Sequence, residues 1–323
     1  MMHLLKLVPT FASLPIYYLL IATVDSELSV PVLMFVSACG VVGLFDFGIS
    51  IKPNFEKRPL LPGFKQLVAI YLLQCLILKF LQLSFFYQWN VFNVVEASVW
   101  QLAIYTLLMS VTNHARIALD LNFLSTTALS FIRGSSSLFR LAPALLVVIQ
   151  EYGILIFLLC ESSYIAICYH YSTRHPQRND FQFDVSNSKI KLHWVLSVII
   201  SVIDLMVRNN LALGAEKVNF YIYDIVSRSM VLVNLFSSFC IRLIQTHTNR
   251  NNKNYDRLFQ AVILLLCISC LLPFFGYDLA ISFLYSLALV SVLSVLDLGR
   301  GSLTVLIKVK SCIIIFFLIH LTL

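Results

Sequence analysis

Residues 191–213 read KLHWVLSVIISVIDLMVRNNLAL, and this stretch decides the fold. Beyond Lys191 only Asp204 and Arg208 carry formal charge. A predominantly apolar run of about twenty residues is what an α-helix needs to cross the hydrocarbon of a bilayer. The two charges stand four apart, the spacing at which helical side chains meet and neutralise each other. The segment therefore reads as a transmembrane helix.

Working outward, comparable runs fall near 7–24, 28–48, 66–88, 97–119, 124–149, 152–171, 219–244, 258–277, 279–297 and 303–322. Together with 191–213 they make about eleven candidate spans. Of the 323 residues 59% are hydrophobic and 12% charged, with a mean hydropathy of +0.86. A soluble domain carries roughly 25% charged residues, so 23 basic and 16 acidic side chains are too few to coat a globule of this size. A soluble enzyme, a disordered chain and a nucleic-acid-binding domain are excluded, the last despite a net charge of +7. Backbone amides in lipid must bond within their own segment, so the expected fold is an all-α polytopic membrane protein.

The connecting loops sort by charge. Lys52, Lys57, Arg58 and Lys65 follow the second span. Arg174, Arg178, Lys189 and Lys191 follow the sixth, and Arg242, Arg250, Lys253 and Arg257 the eighth. Arg300, Lys308 and Lys310 are counted with the connection before the last span, into which the two lysines cut. The odd-numbered loops instead carry Asp25 and Glu27, Glu151, Glu216 with Lys217, and Asp278. Basic loops stay in the cytoplasm, which places the amino terminus inside and, with eleven spans, the carboxyl terminus outside. Asp46 and Asp297 fall at cytoplasmic helix ends, where water is expected to reach them.

The first span has a basic residue, Lys6, but no small-residue cleavage site after it, so it reads as retained. All eight cysteines lie in apolar stretches; Cys267 and Cys270 spell C-x-x-C between leucines and isoleucines and read as packing. No loop exceeds about twenty residues, which leaves no extramembrane catalytic domain, and function is expected among the helices. The chain is not expected to be an enzyme, to bind a metal or to hold a cofactor.

Transporters are commonly built from repeated halves. Sliding the chain until Asp25 falls on Glu216 also brings Leu44 onto Leu235 and Phe45 onto Phe236, with the basic loops in register. The expected organisation is an amino-terminal six-helix lobe over 1–172, a cytoplasmic linker over 173–190 and a carboxy-terminal lobe over 191–323. The second copy is expected to lack its last helix.

Two phrases carry a resemblance. Gly43-Leu44-Phe45-Asp46-Phe47-Gly48-Ile49 stands before a basic loop, and Leu213-Gly214-Ala215-Glu216-Lys217-Val218-Asn219-Phe220-Tyr221-Ile222-Tyr223-Asp224 follows span seven. They resemble the phrases "llDlGl" and "lGaeavgyYsiayrl" of Wzx-type O-antigen and polysaccharide flippases, in the MOP (MATE-like) superfamily. The resemblance covers roughly residues 8–260. It departs from the family in having fewer spans than the usual twelve or so, and in lacking a proline in Leu235–Gln245. It implies two pseudo-repeated lobes around a central cavity in the bacterial inner membrane. That cavity would carry an undecaprenyl-diphosphate-linked oligosaccharide (an O-antigen or capsular repeat unit) to the periplasmic leaflet by alternating access. The implied partners are the lipid-linked oligosaccharide, membrane lipids and other membrane proteins of polysaccharide assembly, with no nucleic acid.

Charges inside spans cost several kcal/mol and are functional candidates by default. Lys79, Arg133, Arg140, Arg208 and Arg228 are the cations; Glu161, Asp204 and Asp224 the anions. Arg133 and Arg140 lie two turns apart on one helix face, with Ser135, Ser136 and Ser137 between them. Guanidinium groups offer paired donors to phosphate oxygens, so both are candidates for a diphosphate site, although Arg133 could equally snorkel to the interface. Arg116, beside His114 and Asp120, either captures substrate or anchors the helix end. Asp204 with Arg208 and Asp224 with Arg228 are each four apart: either self-neutralised pairs that fix packing, or pairs that open so that arginine meets phosphate and carboxylate takes a proton or sodium ion. Arg208 could also reach the periplasmic surface beside Asn209 and Asn210. Glu161 has no partner four residues away and is the leading candidate for a coupling group, or else pairs with Arg140.

The leading expectation is thus a flippase. Its competitors are an integral-membrane polymerase or acyltransferase, disfavoured by the short outward loops, and a MATE-like antiporter of small molecules. An organic cation would prefer a negative cavity, against five intramembrane cations and three anions.

Overall fold

The computed structural model describes residues 26–49, 62–84, 103–104, 106–107, 110–111, 163, 187–214, 218–227, 229, 253–275, 278–299 and 303–322. Two compact units divide the chain, Met1–Gln182 and Phe183–Leu323. Among the described residues all regular structure is helical.

In the first unit, α1 spans Ser26–Gly43 and α2 spans Phe64–Ser84. α1 is shorter than the apolar run 28–48 because the Asp46 phrase turns the chain. The Asp46 carboxylate accepts the Gly48 N–H at 2.9 Å, and Phe47 and Gly48 take φ of 54° and 79°. Glycine enters this left-handed region without steric cost. Asp46 is fully buried, so the expectation of a water-exposed carboxylate is corrected: its oxygen is turned inward onto the backbone it caps. Gly63 begins α2, with its N–H donated to Gln66 Oε1 at 3.3 Å and its carbonyl accepting Leu67 N–H. That is the glutamine half of a capping box.

The first unit also holds a polar knot inside its apolar packing. Gln74 Nε2 donates to Ser110 Oγ at 3.2 Å and Thr106 Oγ1 donates to Gln74 Oε1 at 3.1 Å. Ser110 Oγ reaches the Gly43 carbonyl at 2.6 Å. Gln74, Thr106 and Ser110 are all buried. A buried amide in an apolar helix is tolerated only when its donors and acceptors are met, and this one joins α2, the end of α1 and the helical residues Thr106 and Ser110.

In the second unit, α3 spans Asn187–Leu213, α4 Lys253–Leu271, α5 Leu279–Gly299 and α6 Thr304–Thr322. Residues 218–227 form a further helical segment. α4 tightens into a 3-10 turn, Leu272–Phe275, at Pro273, which has no N–H to continue the helix. Asp278 then caps α5, accepting Ala280 N–H at 2.6 Å. Ser269 and Ser286 share a hydrogen bond of 2.9 Å across this hairpin, where small residues let the helices approach.

α5 packs between α4 and α6, and α6 between α5 and α3. Phe283 near the start of α5 meets Phe317 near the end of α6, ring centroids 4.8 Å apart, so those two run antiparallel. Lys189 Nζ donates to Thr304 Oγ1 at 3.1 Å and Lys310 Nζ to Ser197 Oγ at 2.8 Å. The two links advance together, so α3 and α6 are parallel. α6 is unbroken from Thr304 to Thr322, which corrects the assignment of Lys308 and Lys310 to a connection: both lie within the helix, Lys308 exposed and Lys310 buried.

Among the described residues, Phe64–Leu81, Ser188–Leu213 and Asp256–Phe274 have the length and apolar character to cross a membrane, and Leu279–Ser294 is a shorter apolar stretch. Their outer faces display Leu72, Leu76, Phe80, Leu264, Ile268 and Ile281. Soluble proteins put charge on such faces; large contiguous apolar surface is a membrane protein's outside.

Candidate functional site

The described charges of the expected site converge where α3 meets helical residues 218–227. Arg208 donates Nε to Asp204 Oδ2 at 2.8 Å, one turn back on α3. Its Nη1 donates to Asp224 Oδ1 and its Nη2 to Ser227 Oγ. Tyr223 completes the cluster: its hydroxyl donates to the other Asp204 oxygen at 2.6 Å, and its ring lies 5.2 Å beneath the guanidinium carbon.

The guanidinium can do this because it is a flat fork whose donors point in several fixed directions. One edge returns to α3 and the other two directions reach the neighbouring helix. Spacing does the same on the second helix: Tyr223, Asp224 and Ser227 lie within five residues, so one face presents phenol, carboxylate and hydroxyl together. Arg208 is 4% exposed and Asp224 0%, whereas the Asp204 side chain is 20% exposed. The cluster thus has a sealed end at Asp224 and an accessible end at Asp204.

These positions fix the partners of Arg208. Arg208 does not reach outward beside Asn209. It does not form a private pair with Asp204 either: it binds carboxylates from two helices at once. Lys79 sits on the exposed face of α2 with Leu76 and Phe80. Arg116, Arg133, Arg140, Glu161 and Arg228 lie outside the described residues.

α3 carries more than this cluster. His193, Ser197, Ser201, Asp204 and Arg208 all fall within a band of about 80° around the helix axis at 100° per residue. Ser197 Oγ donates to the His193 carbonyl at 2.7 Å and Ser201 Oγ to the Ser197 carbonyl at 3.0 Å. The stripe rises about 22 Å from His193 to Arg208, with Lys310 against its lower half and Tyr223, Asp224 and Ser227 against its upper half.

Lys310, Tyr223, Ser227 and Gln74 are not among the site residues expected from sequence. Lys310 had a visible signal, since apolar residues continue on both sides of it. Tyr223 and Ser227 had only their spacing around Asp224. Compared with known proteins, the chain matches no family model, no curated protein and no solved structure.

Proposed function

We propose that this chain is a transporter, not an enzyme. It moves an undecaprenyl-diphosphate-linked oligosaccharide, an O-antigen or capsular repeat unit, from the cytoplasmic to the periplasmic leaflet by alternating access. It resides in the bacterial inner membrane with its amino terminus in the cytoplasm, alongside other membrane proteins of polysaccharide assembly. The observation that carries this reading is Arg208, a buried permanent cation in a helix of bilayer length, held by side chains of a second helix.

The chemistry is one of exchange. Diphosphate oxygens suit a guanidinium edge as carboxylate oxygens do. A diphosphate arriving at Arg208 takes the positions of Asp224 and Ser227 while Asp204 keeps Nε. The displaced carboxylate then takes a proton or sodium ion, which couples movement of the second helix to the coupling ion. Arg116, Arg133, Arg140 and Arg228 supply further phosphate contacts in this reading, and Glu161 a further coupling group.

The test is reconstitution of the full chain in proteoliposomes with a fluorescent polyprenyl-diphosphate oligosaccharide, reading glycan accessibility on each leaflet. Faster translocation than in empty vesicles is expected, and its loss in Arg208→Gln. A wild-type rate equal to that of empty vesicles would reject the reading.

One observation favours a second reading. The described cluster has two carboxylates against one guanidinium, a balance that suits a MATE-like antiporter of organic cations. Greater drug susceptibility of cells lacking the chain, with surface polysaccharide unaltered, would select it.

A further inference from the structure

Lys310 lies six residues beyond Thr304 on α6 and is 6% exposed. Its Nζ donates to Ser197 Oγ at 2.8 Å. Among the described residues this neutral hydroxyl is its one hydrogen-bond partner, and no carboxylate lies within ion-pair distance of it. The contrast with Arg208 is chemical. Arg208 never loses its proton in a protein and is clamped by two carboxylates. Lys310 can give its proton up, and nothing among the described residues pins it in the charged form.

The surroundings are nearly free of competing charge. From α3, His193 stands one turn before Ser197, while Lys189 and Lys191 are exposed near the helix start. From α5, the one titratable side chain between Leu279 and Ser294 is Tyr285, which is exposed. On α6 itself Lys308 is exposed, and His320 lies ten residues further on between Phe274 and Phe316. Asp297 of α5 has its side chain outside the described residues. The nearest described carboxylate on the α3 stripe is Asp204, about 10 Å beyond Ser197 at 1.5 Å per residue, with the Ser201 hydroxyl between.

We infer that Lys310, seated on Ser197 at the α3–α6 contact, relays the coupling proton to the carboxylates of the transporter proposed above. The proton adds to the Nζ lone pair to give the ammonium, and leaves it again for water or for an Asp204 oxygen further along the stripe. No bond other than N–H forms or breaks and no electrons change owner. A proton also needs no cavity, which suits a lysine packed between two helices.

The inference rests on the transport reading, and the same vesicles separate the two. Full-length protein is reconstituted with the fluorescent lipid-linked oligosaccharide and a trapped pH dye, and a pH difference of about one unit is imposed, which biases substrate about tenfold per proton carried. The expected result is that Lys310→Met and Lys310→Arg both lose this bias and the accompanying proton flux, while substrate still equilibrates between leaflets. Retention of the bias by Lys310→Arg would overturn the inference, because charge without proton release would then suffice. Wild-type translocation indifferent to the pH difference would overturn it too and leave the transport reading standing; no translocation at all removes both. Ser197→Ala covers the case of variants that fail to insert. Loss of the hydroxyl that accepts from the ammonium shifts the midpoint of the pH response to lower pH, and an unmoved midpoint counts against the site.

Discussion

At the scale of single residues, Arg208 and Asp224 form a buried pair whose partners are not interchangeable. Removing one member of such a pair strands the other charge, at a cost of about 3–5 kcal/mol. Asp224→Asn, which keeps the shape and loses the charge, is expected to lower unfolding stability in detergent by less than that full amount, because Asp204 stays paired with Arg208. Asp204→Asn is expected to cost less, because its side chain is 20% exposed and water screens part of the loss. Denaturant titration of both variants checks the order, and equal losses would contradict it. Arg140 tests the other end of the proposal: Arg140→Ala is expected to abolish polysaccharide export while membrane insertion, followed by fractionation, stays normal.

At the scale of elements, helix contacts in the described units are made by small polar groups buried among apolar ones. Replacing Ser286 alone with alanine leaves Ser269 facing an apolar neighbour, and interhelical hydrogen bonds of this kind are worth about 0.6 kcal/mol on average in a membrane. A small loss of stability is expected for Ser286→Ala. Gln74→Leu should cost more, roughly 1–3 kcal/mol, because it removes two hydrogen bonds that tie α2 to Thr106 and Ser110, each worth about 0.5–1.5 kcal/mol. Thermal unfolding of the two variants checks the ranking. Much of this level was legible: apolar runs near 28–48, 66–88, 191–213, 258–277, 279–297 and 303–322 each overlap a described helix. The misread ends have local causes. Asp46 folds back onto Gly48 and ends α1 early, and Lys310 finds Ser197 on another helix, so α6 absorbs a charge that hydropathy alone treats as a break.

At the scale of the whole molecule, the parallel pairing of α3 and α6 makes a topological prediction. Two neighbouring helices that run parallel begin on the same side of the bilayer and end on the other. A phosphatase reporter, which needs an oxidising compartment to form its disulfides, should be active when fused after Leu323 and inactive when inserted near residue 186. Activity at both positions, or at neither, would contradict parallel spans.

The sequence by itself determined that this chain lives in a membrane as helices. That property is local and additive: an apolar run of about twenty residues is long enough to span, and a helix satisfies the amides of its own run. It also marked Asp204, Arg208 and Asp224 as costly charges, since a charge within an apolar run is expensive wherever it has no partner. Tertiary structure alone decided which charges meet across helices. The reach of Arg208 to Asp224 and Ser227, the seating of Lys310 on Ser197 and the closure of Gln74 onto Thr106 and Ser110 all cross between helices, where facing and register set the distances and spacing along one chain does not.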